Sequence, residues 1–362
     1  MDLRQRSDAE LETHSRNDKM KCNWIWFFDL SVCLCAAWGC SGASTGSGFG
    51  SSGSDAGLGG SSSSGNGGGG GSLSGGGTSD GGSSGTAGKT LFYVHTDTTL
   101  YSVDPTNVSA TPTQIGDFDC IGSGSGKDSA MTDLGVAKDG SLYGVSQSAA
   151  YPLQITGSTV HCSATWPLPS SNTNFYGLTV APENTVAAQE VLIAADGTGA
   201  LWQIDSTSGA TTQVGTLGTD PTTSKPWGLS GDIVFLANSG SPVGFATVRV
   251  KSTDPDTLIQ VDVSLVKPGT GSAMKAVIGK VSQASGCAAP TVGSAPAIGT
   301  GFESMFGIAA YEDKVYGFSH KGDIVQIDNN TGSACLLSSL SSMTFAGAGV
   351  TTSAPVVAPN PR

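Results

Sequence analysis

Few residues of this 362-residue chain could act as acids, bases or metal ligands once the first 88 positions are set aside. Residues 89–362 carry three histidines, His95, His161 and His320, each alone in sequence. No H-x-x-x-H or H-E-x-x-H pair exists, so a metal site of the metalloprotease kind is excluded. Gly88-Lys89-Thr90 has the tail of a phosphate-binding loop, but Ser83 stands where its first glycine belongs and no strand precedes it. Ser272-Ala273-Met274-Lys275 fits S-x-x-K without the helix or partner motifs that chemistry needs. Asp104, Asp205, Asp262 and Asp328 recur at one fixed position before turns, which marks them as turn-forming residues that bond their own backbone.

One cluster remains. Asp133, Tyr176, Trp227 and Phe306 fall at the starts of equivalent strand segments, with Phe175 and Glu303 beside them. Loops between the second and third strands of each repeat add His95, Asp97, Asp196, His320 and Lys321 to the same expected face. Aromatic planes next to carboxylates suit sugars or aromatic ligands, which stack on the rings and hydrogen-bond to the acids. Rings packed only against each other are the plainer alternative. Asp133 and Glu303 are the carboxylates that would meet there, and hydrolysis needs two whose surroundings push their pKa values apart. The same pair with backbone carbonyls would be the oxygen set for calcium, although no D-x-D-x-D-G loop supports it.

The elements that would position this cluster are repeats. An apolar pair, a polar residue, a β-branched residue and Asp appear as LYSVD at 100–104, LWQID at 201–205, LIQVD at 258–262 and IVQID at 324–328, with a degenerate PLQIT at 152–156. A strand precedes each copy (LFYVHT, SLYGVS, EVLIAAD, DIVFLAN, KVYGFS), and before four of these lies another (DLGVAKDG, YGLTVAPEN, WGLSGD, FGIAAYED). A fourth follows, as in TTQVGTL. Four strands at a period near 50 residues predict an all-β, five-bladed β-propeller over 89–352. AGAGVTT at 346–352 has the pattern that the first blade lacks and is expected to complete it, closing the ring. Six blades or a β-sandwich are the alternatives. Residues 353–362 form a tail.

The blades resemble the propellers of bacterial secreted proteins and lipoproteins, whose repeats run GL-x-V-x-x-DG-x-LYGV and LY-x-ID-x-x-TG. The resemblance spans about 89–352 and implies architecture, not chemistry, since propellers host lectins, hydrolases and scaffolds alike.

Four cysteines lie in this region, Cys120, Cys162, Cys287 and Cys335. Three pairings are open to four cysteines. Cys120 and Cys287 each follow an outer strand, and Cys162 and Cys335 each fall on the outer strand of the next repeat. Equivalent positions therefore predict Cys120–Cys162 and Cys287–Cys335. Zinc is the rival use of such residues, but no C-x-x-C or nearby His pair is present.

The N-terminal quarter reads as export machinery. Residues 2–19 are charged with mixed sign, whereas Met20-Lys21 opens an apolar stretch, CNWIWFFDLSVCLCAAWGC, broken by Asp29. This is the form of a secretory signal, expected over 1–39 with the true start at Met20; its near-spanning length leaves a membrane anchor as the alternative. Ala37-Trp38-Gly39-Cys40 resembles a bacterial lipobox, which implies that Cys40 carries lipid, with simple cleavage and secretion as the other outcome. Ser41 favours the outer membrane or cell surface. Residues 40–88 form a Gly/Ser linker, 36 of the 48 positions 41–88 being Gly or Ser. A flexible coil of that length reaches about 35–40 Å.

Residues 89–362 hold 12 basic and 21 acidic residues, an acidic balance that argues against nucleic acid as a partner. The expected function is an exported, lipid-anchored, monomeric surface propeller that binds carbohydrate or protein through its channel mouth or blade faces. A channel-carboxylate hydrolase or lactonase, metal-assisted or not, is the alternative, and a scaffold without small ligand is the third.

Overall fold

The computed structural model describes residues 90–168 and 174–360. They belong to one compact unit, Gly76–Arg362. The expected signal segment 1–39, the lipidation site Cys40 and the linker 40–88 lie outside the described residues.

Alternation of β-branched and aromatic residues with Gly- and Asp-rich turns produces strands throughout, and no α-helix occurs among the described residues. The first group is β1 (Phe92–His95), β2 (Thr99–Val103), β3 (Thr113–Phe118), β4 (Met131–Val136), β5 (Leu142–Ser146), β6 (Ala149–Thr156), β7 (Thr159–Cys162) and β8 (Trp166–Pro167). The second is β9 (Phe175–Ala181), β10 (Val191–Asp196), β11 (Ala200–Ile204) and β12 (Thr211–Thr216). A third follows as β13 (Gly228–Leu236), β14 (Val243–Arg249), β15 (Thr257–Val261) and β16 (Met274–Lys280). The last comprises β17 (Ser282–Gln283), β18 (Gly307–Tyr311), β19 (Lys314–Phe318), β20 (Asp323–Asp328) and β21 (Ser333–Ser339), after which β22 (Gly347–Val350) returns to β1.

The hydrogen bonds correct the expected five-bladed propeller. They define four sheets, not five separate four-stranded blades. β3 pairs in parallel with β7 through Asp117–Thr159 and Phe118–Val160, which fuses the first two expected blades. The resulting path runs β22-β1-β2-β3-β7-β6-β5-β4, with β8 beside β6. Its end strands meet again at a Val136–Thr351 bridge, so the eight-strand path is nearly closed, like a barrel. The other sheets have four, four and five strands and remain open. The resemblance to secreted propellers falls with this result, because its blade unit is not what the chain builds. One segment was also divided wrongly: WGLSGD and DIVFLAN form the single strand β13, and the strand after it is β14.

β22, β4, β9, β13 and β18 nevertheless pack side by side in a closed cycle. Their small residues allow it. A Cβ on Gly307 would lie 2.6 Å from the Ala348 Cβ, and one on Gly349 2.9 Å from the Leu134 carbonyl oxygen. Around them, Phe92 of β1 meets Phe318 edge-on at 6.4 Å, and Phe318 meets Phe345 at 5.5 Å. All three rings are fully buried, each worth about 1.5–3 kcal/mol of burial, and they bind the first described strand to the last sheet.

Both predicted disulfides are present, Cys120–Cys162 and Cys287–Cys335, with sequence separations of 42 and 48. They fit an oxidising, non-cytoplasmic environment.

Candidate functional site

Two irregularities in the central strands create the site. On β4, Met131 pairs with Ser146 and Asp133 with Val145, so Thr132 has no partner opposite it. On β13, Leu229 pairs with Val248 and Ile233 with Ala246, leaving Ser230, Gly231 and Asp232 matched by Thr247 alone. Such bulges re-aim side chains. Here they turn Asp133 and Asp232 towards each other, and the two carboxyls are in contact with no exposure to solvent.

Backbone donors hold the pair. Asp133 accepts from Leu178 N–H through Oδ2 at 2.5 Å and from Ala348 N–H through Oδ1 at 3.2 Å. Asp232 accepts from Ile308 N–H at 2.8 Å and from its neighbour Ile233 at 2.5 Å. The carboxyls thus tie β4 to β9 and β22, and β13 to β18. Burial pushes the Asp133 carboxyl well above the ordinary range, and the Asp232 charge adds to the shift. Burial raises Asp232 to about 7. Like charges in contact cannot both ionise readily, so near neutral pH the pair shares a proton.

His95 lies near Asp133. Its Nδ1 donates to the Thr96 carbonyl at 2.8 Å, and its buried Nε2 has no hydrogen-bond partner. Burial lowers its pKa to about 4, so the ring is neutral. A Cβ on Gly347 would lie 2.3 Å from that Nε2 and 2.4 Å from Asp133 Oδ1; glycine at 347 lets both groups close on the same strand.

Thr132 and Gly231, the residues beside the two carboxyls in sequence, line a cavity of about 420 Å³. Tyr176, Phe306 and His320 form its aromatic wall, and the Phe306 and His320 rings lie 5.1 Å apart. Asp97 and Arg249 bring opposite charges to the lining. Ser230 also lines it with a buried hydroxyl that has no partner, near the buried Asp256. Asp256 accepts from Met305 N–H at 2.8 Å; burial raises its pKa, while that bond and the Arg249 charge pull it down.

The residues expected from sequence separate into three sets. Tyr176 and Phe306 line the cavity, as do Asp97 and His320, and Asp133 lies next to the lining residue Thr132. Trp227 is only 5% exposed, packs into the core of the second and third sheets, and borders a different cavity. Glu303 is ion-paired with Lys321 away from the cavity lining. Asp196 faces its own turn, accepting from Thr198 and Ala200 N–H and from the Trp202 indole at 2.9 Å. The repeated aspartates behave as turn residues, Asp205 accepting from Thr207 and Ser208 N–H at 3.0 and 2.7 Å. Asp232, Asp256, Ser230 and Arg249 were missed by the sequence reading. Ser230 and Asp232 were signalled only by a Ser-Gly-Asp inside an apolar run, which also reads as a turn, and Asp256 and Arg249 by no motif.

Among the described residues, one group of metal-capable side chains gathers its ligand atoms within 4.8 Å: Asp119, Cys120 and Cys162. With two sulfurs it is not a calcium set, since calcium takes oxygen ligands. The expected channel calcium also loses its proposed ligands, because Asp133 meets Asp232 and Glu303 meets Lys321.

No family model matches the chain, and no curated protein matches it. Among solved structures, a protein of unknown function from Bacteroides caccae aligns with TM-score 0.39 and 7% identity over 72% of this chain and 98% of that one. Myxococcus xanthus glutaminyl cyclase aligns with TM-score 0.34 and 14% identity over 62% of this chain and 70% of that one. The expectation of an interaction module on a propeller surface does not stand. What the chain builds is a compact domain with a nearly closed sheet, a metal-capable group and two disulfides.

Proposed function

We propose that the domain is a hydrolase of small carbonyl compounds, esters or lactones, working through Asp133 and Asp232. The observation that carries this is the contact of two buried carboxyls, delivered by two separate strand bulges beside an aromatic-walled cavity. A pair that shares one proton offers both halves of the chemistry. The ionised member takes a proton from water as its oxygen attacks the carbonyl carbon. The protonated member gives its proton to the carbonyl oxygen. As the tetrahedral intermediate collapses, that proton returns to its carboxylate, the acyl C–O bond breaks, and the member that took water's proton delivers it to the leaving alcohol oxygen. Neither carboxyl is exposed, and the nearest cavity from which water could reach them is the one that their sequence neighbours Thr132 and Gly231 line. Arg249 suits a substrate with an anionic end, and Tyr176, Phe306 and His320 suit an apolar or planar body.

The test is a panel of chromogenic esters and lactones with the wild type, Asp133→Asn and Asp232→Asn, each checked for fold by circular dichroism. Turnover that falls about 100-fold or more in both folded variants supports the reading. No turnover by the wild type, or turnover that survives Asp232→Asn, overturns it.

We also infer that the domain works outside the cytoplasm on a lipid tether at Cys40. Loss of palmitate labelling in Cys40→Ser would support the tether; unlabelled wild type would remove it.

A further inference from the structure

The two disulfides occupy equivalent places in the repeat but not equivalent surroundings. Cys287 and Cys335 have backbone carbonyls near them, Cys287 Sγ lying 3.5 Å from the Ala284 oxygen and 3.7 Å from that of Ala334. Cys120 and Cys162 have a carboxylate and an imidazole. Asp119 Oδ1 accepts from Cys162 N–H at 2.9 Å, and its Oδ2 lies 2.5 Å from His161 Nδ1. The second bond cross-links its strands without such groups, so linking strands does not explain why the first has them. Asp119 and His161 are solvent-accessible, with side-chain exposures of 38% and 53%. Cys120 and Cys162 are half-buried.

We propose that Cys120, Cys162, Asp119 and His161 form a divalent-metal site that opens when the disulfide is reduced. The sulfurs of a disulfide carry no thiolate charge and ligate poorly, so the oxidised domain does not bind. A small dithiol reduces the bond: two electrons pass to the cysteine sulfurs, the dithiol leaves as its own disulfide, and its two protons stay on Cys120 and Cys162. Each thiol then loses its proton to solvent as its sulfur binds the ion. Asp119, Cys120 and Cys162 already hold their donor atoms within 4.8 Å of one another, and His161, bonded to Asp119 but outside that group, would turn in as the fourth ligand. Two thiolates, one imidazole and one carboxylate are a set of the kind that selects zinc. The ligands come as adjacent residues from two segments, 119–120 after β3 and 161–162 in β7. Their parallel pairing at Phe118–Val160 fixes the two segments one residue earlier. The bound ion would replace the covalent link between the first two groups of strands. This site shares no residue with the carboxyl pair, and either can fail alone.

The experiment uses the full chain with Cys22, Cys33, Cys35 and Cys40 changed to Ser, so that no other N-terminal thiol competes. A water-soluble phosphine reduces the protein, taking its oxygen from water and adding no thiol ligand. Cobalt(II) is the probe. One equivalent with thiolate-to-cobalt charge-transfer absorption and intense visible bands of a tetrahedral site is expected after reduction, and none before. Asp119→Asn and His161→Ala should each weaken binding about ten-fold or more. Cys287→Ser/Cys335→Ser should leave the bands in place. Absence of the bands, or bands unchanged in His161→Ala, overturns the proposal. If reduction alone unfolds the domain, zinc must restore its β-sheet circular dichroism; failure to restore it is equally fatal.

Discussion

Asp133 and Asp232 meet carboxyl to carboxyl from strands of two different sheets, β4 and β13. The contact has a thermodynamic signature. Both groups have raised pKa values when folded, so they bind protons more readily folded than unfolded. Their contribution favours the native state at low pH and is lost as pH rises from about 4 through about 7, the value for Asp232. Stability should therefore fall across that window by up to about 1.4 kcal/mol per pH unit for each proton involved. Below it, carboxylates with lowered values such as Asp119 and Asp128 reverse the slope. Urea melts from pH 3 to 8 would show the maximum, and Asp232→Asn should flatten its alkaline side. An unchanged slope would separate the pair from the pH response.

Gly231→Ala should destabilise the domain by about 3 kcal/mol or more, because the added Cβ would lie 1.6 Å from the Met305 carbonyl oxygen. Gly271→Ala adds a methyl with nothing within 4 Å and should cost less than about 0.5 kcal/mol. Chemical denaturation of the two variants side by side checks whether crowding at the bulge sets the difference.

Asp196→Ala should cost about 1–3 kcal/mol and leave ester turnover unchanged. The carboxylate holds one turn and the Trp202 indole; Gly197 of that turn lines the cavity, but the Asp196 and Trp202 side chains do not. Blue-shifted or quenched tryptophan fluorescence in the native state would report the freed indole. Lost turnover in a folded Asp196→Ala protein would contradict this placement.

Trp227→Ala should cost about 3–5 kcal/mol of stability without changing KM for any substrate of the cavity. The ring is core in the second and third sheets, not part of the aromatic wall. Phe306→Ala is the contrasting variant, with a raised KM expected.

Removing the second disulfide by Cys287→Ser/Cys335→Ser should lower stability by about 4 kcal/mol, from the chain entropy of a loop with separation 48. Thermal melts of this variant and of the wild type at one pH give the comparison.

Local structure was readable where local sequence decides it. LYSVD, LWQID, LIQVD and IVQID lie on β2, β11, β15 and β20, and Gly347–Val350 pairs with Phe92–His95 as the missing-strand pattern required. The cysteine partners followed from equivalent positions. Sheet membership was not readable, because two parallel residue pairs, Asp117–Thr159 and Phe118–Val160, join what the repeat divides. Nor was the carboxyl pair. A bulge is a mismatch between two strands, and GLSGDIVFL shows only one of them, so its Asp looked like punctuation. Trp227 and Glu303 were drawn to the site by their places at or beside strand starts, and burial took one while Lys321 took the other.

The pairing of β22 with β1 sets an order in time. The first described strand has no outer neighbour until the last one has left the ribosome, and Asp133 waits 215 residues for the Ala348 amide that it caps. A chain emerging N-terminus first cannot finish its centre early. Such a chain stays open and threadable through synthesis, a useful condition for any protein that crosses a membrane before it folds.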